Sequence, residues 1–353
     1  MSELPSKMSG VLLVGHGGPE KLDYRNDIPV PNPGPNEVLI RVSAAGVNNT
    51  DINTRTAWYS KSDHDSDDAS WSGKALSFPL IQGADVCGTI VSVGEFVENG
   101  RIGERVLVEP CIREAQGAIL DKPWYFGSEC NGGFAEYAVV ASRHAYAIKG
   151  AFTDVELASF PCSYSTAENM LTRSHLSAGE RVLITGASGG VGSAAIQLAK
   201  ARDAEVIAVT SPSKAATLQK IGADQTISRD DDYVELLGKD SIDVVIDLVA
   251  GEKWPSLLDI LRPGGRYAVA GAIGGSIVEL DIRTLYLKDL SFFGCTVLEL
   301  EVFGNVIAHI ESGRIKPLVA EIYPLRKIVD AQASFETKGH IGKIVLKIGN
   351  VAN

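Results

Sequence analysis

Long hydrophobic runs are missing from this chain of 353 residues. No apolar stretch approaches the roughly 18 residues that would suggest a membrane span. The first ten residues, MSELPSKMSG, hold no apolar signal core. Clusters of lysine and arginine are missing as well. With 33 basic against 44 acidic residues and a formal net charge of -11, no basic face offers itself to nucleic acid. The acid excess argues for solubility. Cysteine is scarce: Cys87, Cys111, Cys130, Cys162 and Cys295 are odd in number and lack paired spacing. That excludes a disulfide framework and favours free thiols in a reducing compartment. The expected location is the cytoplasm, with neither membrane nor nucleic acid as partner. No internal repeat stands out.

What remains is globular in texture, with 45% hydrophobic and 22% charged residues. The length suits about two domains. To about residue 155 the chain reads as β-rich. Short runs such as EVLIRVSAAGV, CGTIVSVGEFV, RVLVEP and FAEYAVV are separated by turn residues, which suggests a small barrel or sandwich. The polar stretch from Ser60 to Ser77 interrupts this pattern and reads as a surface loop. Within it, His64 among Asp63, Asp65, Asp67 and Asp68 offers a possible cation site, against the plainer reading of a solvated acidic loop. After about residue 160, strands such as RVLITGA, EVIAVT and IDVVIDLVAG alternate with helical stretches, as in a doubly wound parallel sheet covered on both faces.

One local motif carries chemistry. Ile184-Thr185-Gly186-Ala187-Ser188-Gly189-Gly190-Val191-Gly192 follows an expected strand and opens an expected helix. Glycines there let the backbone approach a pyrophosphate, and the helix start offers free N–H groups. Ala187 replaces the first glycine of G-x-G-x-x-G, while Gly189 and Gly192 fit. A site for NAD(H) usually ends the second strand on a carboxylate, about 20 residues further on. Here that strand ends Thr210-Ser211-Pro212-Ser213-Lys214. Hydroxyls and a lysine accept a 2′-phosphate that a carboxylate would repel. Ser211 and Lys214, with Arg229 at the end of the third strand, are the candidate contacts, and NADP(H) is the expected cofactor.

Several further motifs, taken with this one, resemble the medium-chain dehydrogenase/reductase superfamily over nearly the whole length. They are Ala44-Ala45-Gly46-Val47-Asn48, Gly83-Ala84-Asp85-Val86-Cys87-Gly88, Gly132-Gly133-Phe134-Ala135-Glu136-Tyr137, Ile221-Gly222-Ala223-Asp224 and Gly342-Lys343-Ile344-Val345-Leu346. The resemblance implies an α/β architecture: a GroES-like β-rich catalytic domain (1–158), a Rossmann domain (159–298) and a C-terminal return to the catalytic domain (299–353). It also implies that Thr166 and Gly271 lie against the cofactor, beside Ser188, Gly189, Gly190, Val191, Gly192 and Thr210. Zinc-dependent relatives carry ligands where this chain has Asn48, the Ala84-Asp85 pair and Cys162. Only Cys162 keeps a side chain of the zinc-site type, and about three protein ligands are needed to hold a catalytic zinc. Cys111 and Cys130 alone stand in the region of the structural zinc lobe. No metal is expected.

The segment Val47 to Tyr59 resembles the zinc-lacking quinone oxidoreductases and related enone reductases at Asn48, Asp51, Arg55 and Tyr59. Asn53 stands where that group tends to carry tyrosine. Chemistry suggests Asn48 as donor to the substrate oxygen and Tyr59 as donor or proton source. Asp51 and Arg55, four apart, would pair on one helix face, in a catalytic or a structural role. Trp58, Tyr59, Trp124, Tyr125 and Phe126 are candidates to line an apolar pocket. The expected activity is NADPH-dependent hydride transfer to a quinone, enone or reactive carbonyl. Two alternatives stay open: a zinc-dependent alcohol dehydrogenase with substituted ligands, and an NADP(H)-binding protein without turnover. A small molecule is the expected substrate. The apolar run Leu290 to Leu298 is a candidate edge strand for a homodimer.

Overall fold

A computed structural model describes residues 4–61 and 68–349. His64 and its neighbours Asp63, Asp65 and Asp67 lie outside the described residues. The chain divides into two compact units. One comprises the residues to Cys162 together with those from Pro317 onward; the other is Ser163–Lys316. These boundaries depart from the expected breaks near 158 and 298. The helix Val302–Glu311 belongs to the second unit. Asn305 donates to Glu168 there, and Asn169 bonds both the Val297 carbonyl and the Glu299 N–H. The return to the first unit therefore starts at Pro317.

The first unit is built on a seven-stranded sheet whose central member is Glu37–Gly46. That strand reads EVLIRVSAAG, with Val38, Leu39, Ile40 and Val42 all buried. Such burial on both faces explains why its apolar residues run nearly without interruption. It pairs antiparallel with Cys87–Val93, with Tyr137–Ala141 and with the late strand Lys343–Lys347. The last pairing sets Val345 against Gly46 and Leu346 against Ala45. The Val47 N–H donates to the Ile344 carbonyl at 2.9 Å, so the register carries on to bring Lys343 beside Asn48. A three-stranded sheet and the hairpin Cys111–Ala115/Ala118–Tyr125 complete the unit.

Six parallel strands form the sheet of the second unit. Their order is Gln225–Ser228, Glu205–Thr210, Arg181–Ile184, Ile242–Asp247, Leu261–Val269 and Ser291–Gly294. In sequence terms this is 3-2-1-4-5-6, the dinucleotide-binding order, with its switch point between Arg181–Ile184 and Ile242–Asp247. The strand Ser291–Gly294 lies at one edge, as expected for part of the run Leu290 to Leu298. No helix among the described residues is long and apolar enough to cross a membrane.

The short helix Asn49–Arg55 is capped at Asn48 by a capping box with Asp51. Asp51 and Arg55 sit on it as expected but do not pair. Asp51 spends its carboxylate on the Asn48 N–H at 2.7 Å. Arg55 is buried and turns the other way: Nε donates to Gln332 at 3.1 Å, Nη1 donates to the Gly17 carbonyl at 2.9 Å, and Nη2 lies 3.7 Å from Glu336. The N-capping role of Asp51 competes with the i,i+4 pair and wins, because it satisfies a backbone donor that the helix start would leave bare. Arg55 thus docks this helix onto Ile328–Glu336. Replacing Arg55 with alanine strands the buried Gln332 oxygen and the half-buried Gly17 carbonyl, at about 1–3 kcal/mol for the buried one. Denaturant unfolding of Arg55→Ala should show a loss on the order of 3 kcal/mol, with cofactor affinity retained; an intact stability would remove the docking role.

Candidate functional site

In the first unit, a buried polar cluster forms at the end of the central strand. Asn48 follows the strand Glu37–Gly46, Asp85 precedes Cys87–Val93, and Lys343 opens the returning strand. Lys343 Nζ donates to Asn48 Oδ1 and lies 2.7 Å from Asp85 Oδ2. Asn48 Nδ2 donates to the same carboxylate oxygen at 2.9 Å. The other oxygen, Asp85 Oδ1, accepts the Cys162 N–H at 2.5 Å. The amide orientation of Asn48 follows from its neighbours: an ammonium only donates and a carboxylate only accepts. The side chains of Lys343 and Asp85 are 3% and 0% exposed, so this is an ion pair removed from water. Gly46 makes room for it, since a Cβ there would lie 2.4 Å from Asp85 Oδ2.

Around this cluster lie groups that carry protons. Burial pushes the Asp51 carboxyl up to about 7; the N–H it accepts from Asn48 and the Lys343 charge pull the other way. The Tyr125 hydroxyl donates to Cys162 Sγ at 2.9 Å, and burial raises both groups, the thiol to about 12. Burial likewise raises Tyr59, whose hydroxyl lies beside Thr50 and Asn53 and feels the charges of Cys162 and Asp51. Trp71 stacks on Tyr125, ring centres 5.1 Å apart. The lobe that presents Tyr125 is pinned by Glu129, which accepts the N–H groups of Tyr125 and Ser72, each at 2.8 Å. Of the three aromatics expected from the lobe, only Tyr125 joins this group. Trp124 and Phe126 pack into the core of the first unit, and Trp58 is largely exposed.

The structure thus brings Asn48, Asp51 and Tyr59 together and adds Asp85, Lys343, Tyr125 and Trp71. Asn48 is not a free donor, because both ends of its amide are engaged. Nor does the donor set suit a metal ion. The Asn48 oxygen and both Asp85 oxygens are taken, Ala84 offers nothing, and Cys162 alone supplies one donor where about three are needed. Among the described residues, no group of three or more His, Cys, Asp or Glu side chains is placed to hold one.

The second unit carries the glycine turn. Gly189 caps the helix Gly190–Lys200, whose first N–H groups have no partner within the helix. Gly192 must stay bare: a Cβ would meet the Gly186 carbonyl oxygen at 2.4 Å, so the helix packs tightly on the turn. Ser188, Gly189, Gly190 and Val191 are half-exposed at its mouth. Thr210, at the end of the neighbouring strand, keeps a buried hydroxyl without a hydrogen-bond partner. At Gly271 a Cβ would lie 2.7 Å from the Leu248 carbonyl oxygen. A bare helix start, an orphaned hydroxyl and closely approaching backbone suit a dinucleotide. Thr166 is half-exposed on the helix Pro161–Arg173.

Beyond Thr210, Lys214 Nζ reaches Ser188 Oγ at 3.5 Å. Its pKa is lowered first by partial burial and then by the Arg229 charge. The Arg229 charge is thus felt at Lys214, and the carboxylate of the exposed Asp230 stands 3.9 Å from Arg229. From the sequence, Asp247 to Gly251 reads as a strand end that offers backbone contacts at the crevice, but the Asp247 side chain has a part of its own. Asp247 ends the fourth strand, accepts Thr185 and Tyr267 hydroxyls, and takes the N–H groups of Val249 and Ala250, so it shapes the loop beside Gly271.

Comparison with known proteins agrees with this division. Residues 34–150 match the family described as alcohol dehydrogenase GroES-like domain, and residues 190–312 match the zinc-binding dehydrogenase family. A quinone oxidoreductase of Lama guanicoe is 32% identical over 96% of this chain and 97% of its own. An NAD-dependent alcohol dehydrogenase of Sulfolobus acidocaldarius is 29% identical over 97% of this chain and its full length. A solved structure from Sinorhizobium meliloti, described as a candidate alcohol dehydrogenase, is 44% identical, with a TM-score of 0.90 over 99% of both chains.

The raised Asp51 pKa has a sign that can be worked out. Between the unfolded value of 3.8 and about 7 the folded chain holds a proton that the unfolded chain has released. The contribution is complete below 3.8 and is lost as pH rises through about 7. Urea unfolding from about pH 5 to about pH 8 should show this loss in the native chain and not in Asp51→Asn. Equal slopes in both would assign the titration elsewhere.

Proposed function

The chain belongs to the medium-chain dehydrogenase/reductase superfamily, and we propose that it is an NADPH-dependent, zinc-independent oxidoreductase acting on quinones, enones or reactive carbonyls. One observation carries this reading. The cluster that would have to polarise a substrate oxygen consists of an amide, a carboxylate, an ammonium and phenols, with no open metal position. Such a site relies on hydrogen-bond donors preorganised in a dry cavity, and it suits acceptors that are already electrophilic.

The glycine turn from Ser188 to Gly192 would hold the pyrophosphate. Thr210 and Ser211 would hold the adenosine ribose, and Lys214 with Arg229 the 2′-phosphate. Thr166 and the backbone at Gly271 would border the nicotinamide. The bound cofactor supplies a hydride to the acceptor. Tyr59, held neutral by burial, stands as the hydroxyl donor for the oxygen on which negative charge develops, while Tyr125 gives its one proton to Cys162 Sγ. Asp51, near its midpoint at neutral pH, can hold or release the proton the product requires. Asn48 and Lys343 fix the polarity around them. Arg55 is a structural anchor in this reading.

A side-by-side fluorescence titration with NADPH and NADH, followed by 1,4-benzoquinone or a small enone, tests the proposal. NADPH should bind more tightly and be oxidised on addition. Lys214→Glu should reverse the preference, with about 1–2 kcal/mol lost for NADPH. An NADH preference in the native chain would overturn the cofactor assignment. About one zinc per chain after purification without chelator would favour the alcohol dehydrogenase alternative.

We also propose a homodimer joined at the strand Ser291–Gly294. Ile277, Ile282, Tyr286, Leu287 and Leu300, in the flanking segments, are exposed, and an unpaired apolar edge invites pairing. Light scattering should give about twice the chain mass of 37.5 kDa, and Phe292→Glu should shift it toward monomer. A native chain that stays monomeric would refute the pairing.

A further inference from the structure

We propose that the Lys343 ammonium is the resident cation of the polar cluster: it takes the place of a metal ion among Asn48, Asp85 and Cys162, and it excludes one. The inference rests on the geometry of the first unit and on the zinc-ligand positions that the family resemblance implies at Asn48, Ala84-Asp85 and Cys162, and is independent of the cofactor preference and of the substrate.

Three observations carry it. First, Lys343 spends its charge on Asp85 Oδ2 at 2.7 Å and on Asn48 Oδ1, two oxygens that would otherwise face a cation. Second, the remaining carboxylate oxygen, Asp85 Oδ1, is closed by the Cys162 N–H, which ties the third position to the same carboxylate. Third, Lys343 cannot easily leave. Its strand is held to Glu37–Gly46 through Val345 and Leu346, its own N–H donates to the Leu318 carbonyl at 2.8 Å, and its side chain is 3% exposed. Asp85 and Lys343 together are neutral. A divalent ion entering the cluster would sit beside a fixed positive charge in a poorly screened interior, where like charges repel strongly. Loss of ligands alone would leave a weak site; the ammonium turns it into a repelling one.

The claim separates two effects that a substitution at Asn48 cannot separate by itself. Asn48→Cys supplies a thiol beside Cys162 and Asp85, giving three donors of the kind a tetrahedral site uses. If Lys343 excludes metal, this variant still binds Co²⁺ poorly, while Asn48→Cys with Lys343→Met binds it well. The probe is Co²⁺ itself, titrated into the reduced full-length chain. The readouts are the thiolate-to-cobalt absorption in the near ultraviolet and the rise in melting temperature on metal addition. The double variant should take up about one cobalt per chain and bind it at least roughly tenfold more tightly than Asn48→Cys. Should Lys343→Met leave the buried carboxylate too poorly compensated for folding, Lys343→Gln, which keeps a donor for Asp85, carries the same comparison. Equal cobalt affinity with and without Lys343 overturns the proposal, because the ammonium then excludes nothing. So does the failure of every folded double variant to bind, because the cavity then has no place for a metal.

Discussion

The ion pair between Lys343 and Asp85 is the constraint on which the first unit is arranged. Taking two charges out of water is costly, and the attraction between them offsets that cost only when the remaining hydrogen-bond positions are filled. Here they are filled by Asn48 on both partners and by the Cys162 N–H on the carboxylate. Each of those groups is thereby fixed in turn. Asn48 is held as the cap of the helix Asn49–Arg55, that helix is docked by Arg55, and the Cys162 N–H lies at the start of the helix Pro161–Arg173. The pair joins residues 258 positions apart, so its formation requires the C-terminal strand to be in register. A one-residue slip of that strand would turn Lys343 to the opposite face of the sheet.

The second unit solves a different problem by similar means. Its glycine turn leaves N–H groups bare, and its strand ends must present a defined loop opposite them. Asp247 does the latter. It gathers two hydroxyls and two backbone N–H groups on one carboxylate, and in this way stabilises a loop that contains Ala250 at a φ of +55°. Strain of that kind persists only where the surroundings over-determine it.

Much of the fold was legible in the sequence because it is written locally. Alternation of short apolar runs with turn residues marked the first unit, and strands spaced by helical stretches marked the second. The glycine turn lies within nine consecutive residues. The absence of a carboxylate after Thr210 could likewise be read directly. Less legible was whatever depends on long-range register. Lys343 could be quoted as part of a motif, yet nothing in the sequence says that it stands beside Asn48, 295 residues earlier. Asp85 read as a lost ligand instead of a partner. The i,i+4 spacing of Asp51 and Arg55 promised a pair, but a capping role and a distant glutamine claimed the two side chains first. The break expected near 298 differs from the division at Lys316 for a related reason: only its packing places the helix Val302–Glu311 with the second unit.

The buried charges also bear on how such a cluster can remain responsive. Asp85 is closed on all sides, whereas Asp51 is desolvated with fewer compensating contacts, and its carboxyl is pushed up to about 7. Lys343 is engaged by Asp85 and Asn48 through direct contacts, whereas it reaches Asp51 only as a nearby charge that pulls against the effect of burial. A neutral cavity with one exchangeable proton is what a hydride acceptor needs beside it, since hydride transfer leaves negative charge on the substrate that only a proton or a fixed donor can neutralise.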